Sequence, residues 1–358
     1  MTAHKHVIVI GAGILGASIG YHLARDGARV TILDAGARGG LATRYSWAWI
    51  NASWGNPEPY VRLRMRAMQE WRRLAAEVPE IALNWAGGLL WDLAPEKLPA
   101  YVEERKAAGY DIRLVDRAEA LTLEPHLAAL PDQAAYAPCE GVAEPRETAE
   151  ALLRAAEAKG AIFRQNTPVR ALTLQGGRIV GVTTDQGEIK ADHVVLAAGA
   201  ATAALAAGAG VTVPMSAPAG LLVLTKPMAK ILNGLVMAPE LHVRQRPDGA
   251  LIAGTDFGGA DPGTEPQKVA DAIMTAMRAL LKGGEKLAFD RYTVGYRPLP
   301  ADEFPAMGAA PTHDNLYIAV THSGITLAPA LGLFISAEIL TGERDPLLAP
   351  YAFARFQK

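Results

Sequence analysis

Residues 7–34 read VIVIGAGILGASIGYHLARDGARVTILD, and no other stretch constrains the fold as tightly. An apolar run ends at Ile10, and glycines follow at positions 11, 13 and 16. An Ala-rich stretch of helical character comes next, then a second apolar run closing on Asp34. This spacing predicts a strand, a tight turn, a helix and a second parallel strand. Gly11 permits the sharp turn, Gly13 lets backbone N–H groups approach a pyrophosphate, and Gly16 lets the helix pack close to the strand. Phosphates then sit at the helix N-terminus, where unpaired N–H groups and the positive dipole end favour an anion. Asp34, at the end of the second strand, is placed to accept hydrogen bonds from ribose hydroxyls. The stretch predicts a dinucleotide site.

Composition narrows the setting. The 358 residues suit one large domain or two intertwined ones, and half of them are hydrophobic. A formal net charge of −2 gives no electrostatic case for nucleic acid or an anionic membrane. Cys139 is the single cysteine, so neither an intrachain disulfide nor a cysteine-cluster metal site is expected. That usage suits a reducing, cytoplasmic setting. Residues 194–213 (VVLAAGAATAALAAGAGVTV) carry no charge over a length that spans a bilayer. They are mostly weakly apolar Ala and Gly, however, and read better as a buried strand, a turn and a short helix. No transmembrane segment is expected.

Further along, residues 39–60 form a Gly-led loop with three tryptophans, Trp47, Trp49 and Trp54, read as packing residues. Val61, Met65, Met68, Trp71 and Leu74 show helical spacing over 60–77, with arginines on the remaining face. A helix is predicted at about 146–159 and a strand at 161–164. A β-meander follows, with turns at Gly176-Gly177 and Asp185-Gln186-Gly187. Residues 214–296 read as mostly strand, with one helix near 265–282. The tail returns to a strand at Leu316–Val320, a turn at Ser323-Gly324 and a helix from Leu327 to Leu340. Nucleotide-type segments therefore recur at the start, middle and end. Two discontinuous domains are expected: residues 1–80, 141–213 and 297–358 for the dinucleotide, and residues 81–140 and 214–296 for substrate.

The fingerprint at 7–34, GVAEP (141–145), VVLAAGA (194–200), GYRPLPADEFPAMG (295–308) and THSGITLAPALG (321–332) carry a resemblance over essentially the whole chain. Together they resemble the D-amino-acid oxidase / glycine oxidase / sarcosine oxidase family of FAD flavoproteins. The resemblance implies an α/β FAD-binding domain of the p-hydroxybenzoate-hydroxylase/glutathione-reductase type. It also implies an α+β second domain with a mixed, largely antiparallel sheet over the flavin. The chain's own order agrees: a free NAD dehydrogenase follows its first βαβ unit with another, whereas a meander and a C-terminal Gly-turn-helix follow here. The N-terminus of that last helix either faces the flavin or is an ordinary helix end, with Ser323 capping and Gly324 turning.

On this resemblance Ile14, Leu15, Ala35, Val169, Ala198, Gly199, Ser323, Gly324, Ile325 and Thr326 lie along FAD, beside Gly11, Gly13, Gly16 and Asp34. Arg44, Tyr45 and Ser46 fall in the loop that passes the flavin. Arg297 matches the arginine that pairs with a substrate carboxylate, a role suited to a planar guanidinium. His242 falls where glycine oxidase-like relatives have a tyrosine, and alternation puts Arg244 on the same strand face. Arg244 and Arg297 together would favour a dicarboxylate or an N-carboxyalkyl amino acid. His322 lies in the loop entering the last helix, where it either tunes the substrate amine or bonds backbone. Met307 stands where sarcosine oxidase-like members tether FAD through cysteine, so the FAD is expected to be non-covalent. The implied reaction is oxidation of an amino acid's C–N bond by hydride transfer from Cα. Two alternatives keep the cofactor: a 2-hydroxy-acid dehydrogenase using His242 or His322 as base, and the flavin subunit of a heteromeric amino-acid or opine-type dehydrogenase. A homo-oligomer or a partner subunit is compatible with either.

Overall fold

The structure, a computed structural model, describes residues 5–53, 55–256 and 258–356. Trp54 lies outside them. Two large sheets organise the rest. The first has six strands in the order Ala306–Ala310, His313–Val320, His193–Leu196, His6–Ile10, Arg29–Leu33 and Ile162–Arg164. Neighbours are parallel except for the outer pair, Ala306–Ala310 with His313–Val320. Parallel strands need cover on both faces, which is why His6–Ile10 is an unbroken buried run. Helices Ile14–Arg25, Pro145–Ala158 and Gly324–Thr341 form one layer. The meander Val169–Gln175, Arg178–Thr184, Gly187–Lys190 covers the sheet elsewhere, with Leu172, Ile179 and Val182 in its core.

The second sheet has eight strands, ordered Phe289–Tyr296, Ala219–Thr225, Leu251–Gly254, Leu241–Gln245, Leu235–Ala238, Gly88–Leu90, Gln133–Ala137 and Arg113–Asp116. All neighbours are antiparallel apart from Leu235–Ala238 with Gly88–Leu90. Helix Pro266–Leu280 packs on it through Ala270, Ile273, Met274, Met277 and Leu280, an apolar stripe at three- and four-residue spacing. The architecture is the α/β fold with a mixed second sheet that the motifs imply.

The C-terminal helix departs from expectation. It begins at Gly324, three residues before Leu327, and takes Pro329 into its interior. Ser323 makes no side-chain cap. Proline cannot donate to the carbonyl four residues back, Ile325 O, and the Trp71 Nε1–H takes that acceptor at 3.0 Å. Close crossing with Ile14–Arg25 is set at Gly332, where an added Cβ would stand 2.3 Å from Ser18 Oγ. Helix Gly324–Thr341 is long and apolar enough to cross a membrane by length and composition, but two-thirds of it is buried inside the protein (67%). The segment 80–140 holds two helices that the sequence reading did not predict, Leu98–Ala107 and Arg117–Leu123, the second capped by Asp116. Helix Glu58–Glu77 appears as predicted, except that Arg64 lies on its buried face rather than with the other arginines.

Candidate active site

The fingerprint closes as its spacing requires. Gly11 has φ +109°, and an added Cβ there would lie 2.3 Å from Ala197 O. A Cβ on Gly16 would stand 1.9 Å from Gly11 O, so this residue packs the helix onto the turn and does not line the cleft. Asp34 accepts the Ala12 N–H through Oδ2 (2.6 Å) and the Gly36 N–H through Oδ1 (2.7 Å). A carboxylate has about four lone-pair sites, so both oxygens keep room for ribose hydroxyls. Helix Ile14–Arg25 starts without a cap from Gly13, and Thr43 Oγ1 accepts the Ile14 N–H at 3.0 Å.

From this point a cleft of about 1220 Å³ runs beneath the second sheet. Gly11, Gly13, Ile14, Leu15, Asp34 and Ala35 line one end of it. Tyr45, Ser46, Val169, Ala198 and Gly199 follow along its walls. His322, Ser323, Gly324, Ile325 and Thr326 present the first turn of the C-terminal helix to it. Gly220, Leu222, Gly295 and Arg297 come from the second sheet and the end of its edge strand. Arg44 does not line the cleft. Its Nε donates to Gly40 O (2.8 Å) and its Nη2 to Arg38 O (3.1 Å), so the guanidinium holds its own loop.

Polar atoms without partners gather in this cleft. Arg297 Nε, Asn51 Oδ1 and Thr321 Oγ1 are buried with no hydrogen bond among the described residues. Arg297 also makes no ion pair among them; Asp256, near it, accepts the Gly258 N–H instead. Such atoms are costly to bury unless a ligand satisfies them. A long cleft that begins at a dinucleotide fingerprint and ends among orphaned donors and acceptors fits FAD plus a small polar substrate.

Arg64 is a cleft residue that the sequence reading missed. Its Nε donates to Asn51 O (2.9 Å), and its Nη1 to Ser323 Oγ (2.7 Å). Ser323 therefore faces Arg64 instead of capping its helix. The signal was present: Val61, Arg64, Met68 and Trp71 share one stripe at helical spacing, and a charge on an apolar stripe is seldom idle. His322 lies between charges. Burial first, then Arg297 and Arg64, push its pKa down to about 4, so the ring is neutral at neutral pH.

His242 and Arg244, expected at the substrate, do not line the cleft. Their strand places them behind Trp47. Arg244 Nε donates to Trp47 O (2.7 Å) and its Nη1 pairs with Glu144 (2.6 Å), while His242 Nε2 meets Asp92 at 2.9 Å. In this chain Trp47 fills the space those residues would need to reach the cleft; its ring centroid is 5.9 Å from that of His242. Beneath the same loop Glu140 is fully buried, accepting from Trp49 Nε1 (2.7 Å), Ser53 Oγ (2.5 Å) and Tyr110 Oη (2.8 Å). Burial pushes its pKa up to about 7 despite those donors. Cys139 also lies off the cleft, its Sγ donating to Asp111 O (3.4 Å) and its thiol pushed up to about 11 by burial. Met307 is fully buried in its strand.

A dinucleotide fingerprint at one end of the cleft and, at the other, an arginine without an ion pair among the described residues fit a redox enzyme with a resident dinucleotide cofactor. The chain belongs to the FAD dependent oxidoreductase (DAO) family, whose sequence profile matches residues 6–338. It is 30% identical over 370 residues to the glycine oxidase of Pseudomonas aeruginosa, covering 98% of both chains. Among solved structures, L-proline dehydrogenase from P. horikoshii superposes with a TM-score of 0.89 at 25% identity, covering 100% of this chain and 99% of that one. Glycine oxidase from Geobacillus kaustophilus superposes with a TM-score of 0.88 at 25% identity, covering 98% and 99%.

Proposed function

We propose that this enzyme oxidises the C–N bond of a carboxylate-bearing amine, an amino acid or N-substituted amino acid, to an imine that water then hydrolyses. The observation that carries this reading is Arg297, a cleft guanidinium without a carboxylate partner among the described residues and with a buried, unbonded Nε. A substrate carboxylate on that planar fork fixes Cα against the cofactor. Bound FAD supplies the two-electron acceptor at N5. Gly11, Gly13 and Asp34 would hold its ADP half and Gly324–Thr326 would lie along its ring, while the single cysteine, Cys139, is off the cleft.

The residues present suit an amine better than an alcohol. A neutral amine needs no side-chain base, and the positive field of Arg64, Arg297 and the helix end favours loss of the ammonium proton on entry. A 2-hydroxy acid needs a base. His322, at about 4, is a weak one, and His242 is off the cleft. Residues 1–80, 141–213 and 297–358 make the FAD domain, and 81–140 with 214–296 the substrate domain. A cytoplasmic setting agrees with the single cysteine, and a homo-oligomer or partner subunit remains compatible.

The test is anaerobic bleaching of the visible flavin band by a panel of amino, N-alkylamino and hydroxy acids. Amines are expected to bleach it and hydroxy acids to fail. Arg297→Ala should weaken the best amine's Kd by roughly 10- to 100-fold, the range for a charge-assisted pair. An unchanged Kd, or bleaching by hydroxy acids alone, overturns the reading.

A further inference from the structure

The fold treats its buried arginines differently. Arg244 is paired with Glu144 at 2.6 Å, and Arg105 with Glu104 at 2.9 Å. Arg64 is 6% exposed and has no ion pair among the described residues. Its acceptors are all neutral: Asn51 O, Ser323 Oγ and, at 3.5 Å, Thr326 Oγ1, with the Tyr60 ring 5.3 Å from its guanidinium carbon. A guanidinium carries five N–H donors, so about two remain unused. Glu140 feels the Arg64 charge, but its oxygens are occupied by Trp49, Ser53 and Tyr110. A desolvated cation with no carboxylate bonded to it is unfavourable, and the missing partner is most simply supplied by what enters the cleft.

Arg64 and Arg297 belong to one neighbourhood. Both line the cleft and both act on His322. Asn51, bonded to Arg64 through its backbone carbonyl, has a buried side-chain Oδ1 without a partner among the described residues, an acceptor that suits a substrate's amine N–H between two carboxylates. One carboxylate satisfies one planar fork, and a second guanidinium calls for a second anion. We propose that the substrate is an amine flanked by two carboxylates, an N-carboxyalkyl amino acid or an acidic amino acid, with one carboxylate on Arg297 and the other on Arg64. Arg64, with Asn51 beside it, is then the specificity residue. The inference rests on the amine-oxidation reading above and names its substrate class.

The experiment uses FAD-loaded enzyme and matched pairs that differ by one carboxylate: N-carboxymethylglycine against N-methylglycine, and aspartate against alanine in both configurations. Anaerobic flavin bleaching gives the rate and Kd of each. Perturbation of the flavin spectrum by malonate, succinate and acetate gives binding without oxidation. Wild type should favour at least one dicarboxylate over its partner by roughly 10- to 100-fold. The ratio should collapse in Arg64→Gln and survive in part in Arg64→Lys. Absence of a preference in wild type overturns the proposal, and so does a preference that persists in Arg64→Gln. A lowered flavin midpoint potential in Arg64→Gln with an unchanged ratio also overturns it, because the charge then serves the cofactor. If Arg64→Gln does not hold FAD, the wild-type ratios and Arg64→Lys decide. Should no amine bleach the flavin while dicarboxylates still bind preferentially, C–N oxidation fails and the two-carboxylate site stands. Equal bleaching by monocarboxylates sinks this inference and leaves the oxidation reading intact.

Discussion

Glu140 shows what one residue in this fold can do to the whole pH profile. Its carboxyl is raised from an ordinary value of about 4.5 to about 7, chiefly by burial. Between those values the folded state binds the proton more readily than the unfolded chain, so stability falls as pH rises through that window. His22 and His322 act in the opposite sense. Both are pushed down to about 4 by burial first, so they add stability as pH rises from about 4 to 6.5. Glu140→Gln isolates the acid from the histidines. Relative to wild type, this variant should gain up to about 3 kcal/mol in urea unfolding between pH 5 and pH 8. A difference that stays constant across that range would show that Glu140 does not titrate there. Legibility at this scale follows chemistry. Residues tied to backbone geometry, such as Gly11 and Asp34, were readable because only their local spacing matters. His242 and Arg244 were misplaced because strand alternation says which face a side chain takes, not that Trp47 stands between that face and the cleft. Arg64 went unread because the four other arginines on its helix all lie toward solvent.

Elements were legible where a periodic stripe ran long, as in Glu58–Glu77, Pro145–Ala158 and Pro266–Leu280. They were not where the deciding contact is remote. The start of Gly324–Thr341 is the clearest case. A Ser-Gly pair three residues before Leu327 reads as a turn, and Pro329 as a residue near a helix start. The helix extends through both because Trp71 satisfies the carbonyl that Pro329 orphans. That indole comes from a helix 254 residues away in sequence. Trp71→Phe should therefore lower stability by about 1–3 kcal/mol through the unpaired Ile325 carbonyl. Pro329→Ala restores an N–H aimed at the same oxygen. In a double-mutant cycle, Trp71→Phe should cost clearly less in the Pro329→Ala background. Equal costs in both backgrounds would mean that Trp71 stabilises through packing alone.

At the level of the whole molecule, neither sheet is built from consecutive chain, yet one core runs through both. Val7 and Val9 of the parallel sheet belong to the same buried cluster as Leu222, Leu235, Met237 and Ile252 of the mixed sheet. The cleft then lies across that shared core, lined from Ile10 at one end of the chain to Thr326 near the other. The order of motifs foretold the separated pieces. It did not foretell the shared core, because side-chain contacts between distant strands leave no periodic trace. This arrangement makes FAD a clasp on the entire fold rather than on one half. Binding to the folded state alone stabilises by mass action, about 2.7 kcal/mol at a free concentration of 100 times Kd. With a continuous core, calorimetry should show one unfolding transition in the apoprotein, and rising FAD should move it upward as a unit. Asp34→Ala should raise the FAD concentration needed for a given rise in Tm, since Asp34 lines the cleft beside the glycine fingerprint. Two endotherms, one of them indifferent to FAD, would mean that the mixed sheet melts independently of the parallel one. The cofactor would then order only the half that carries the fingerprint.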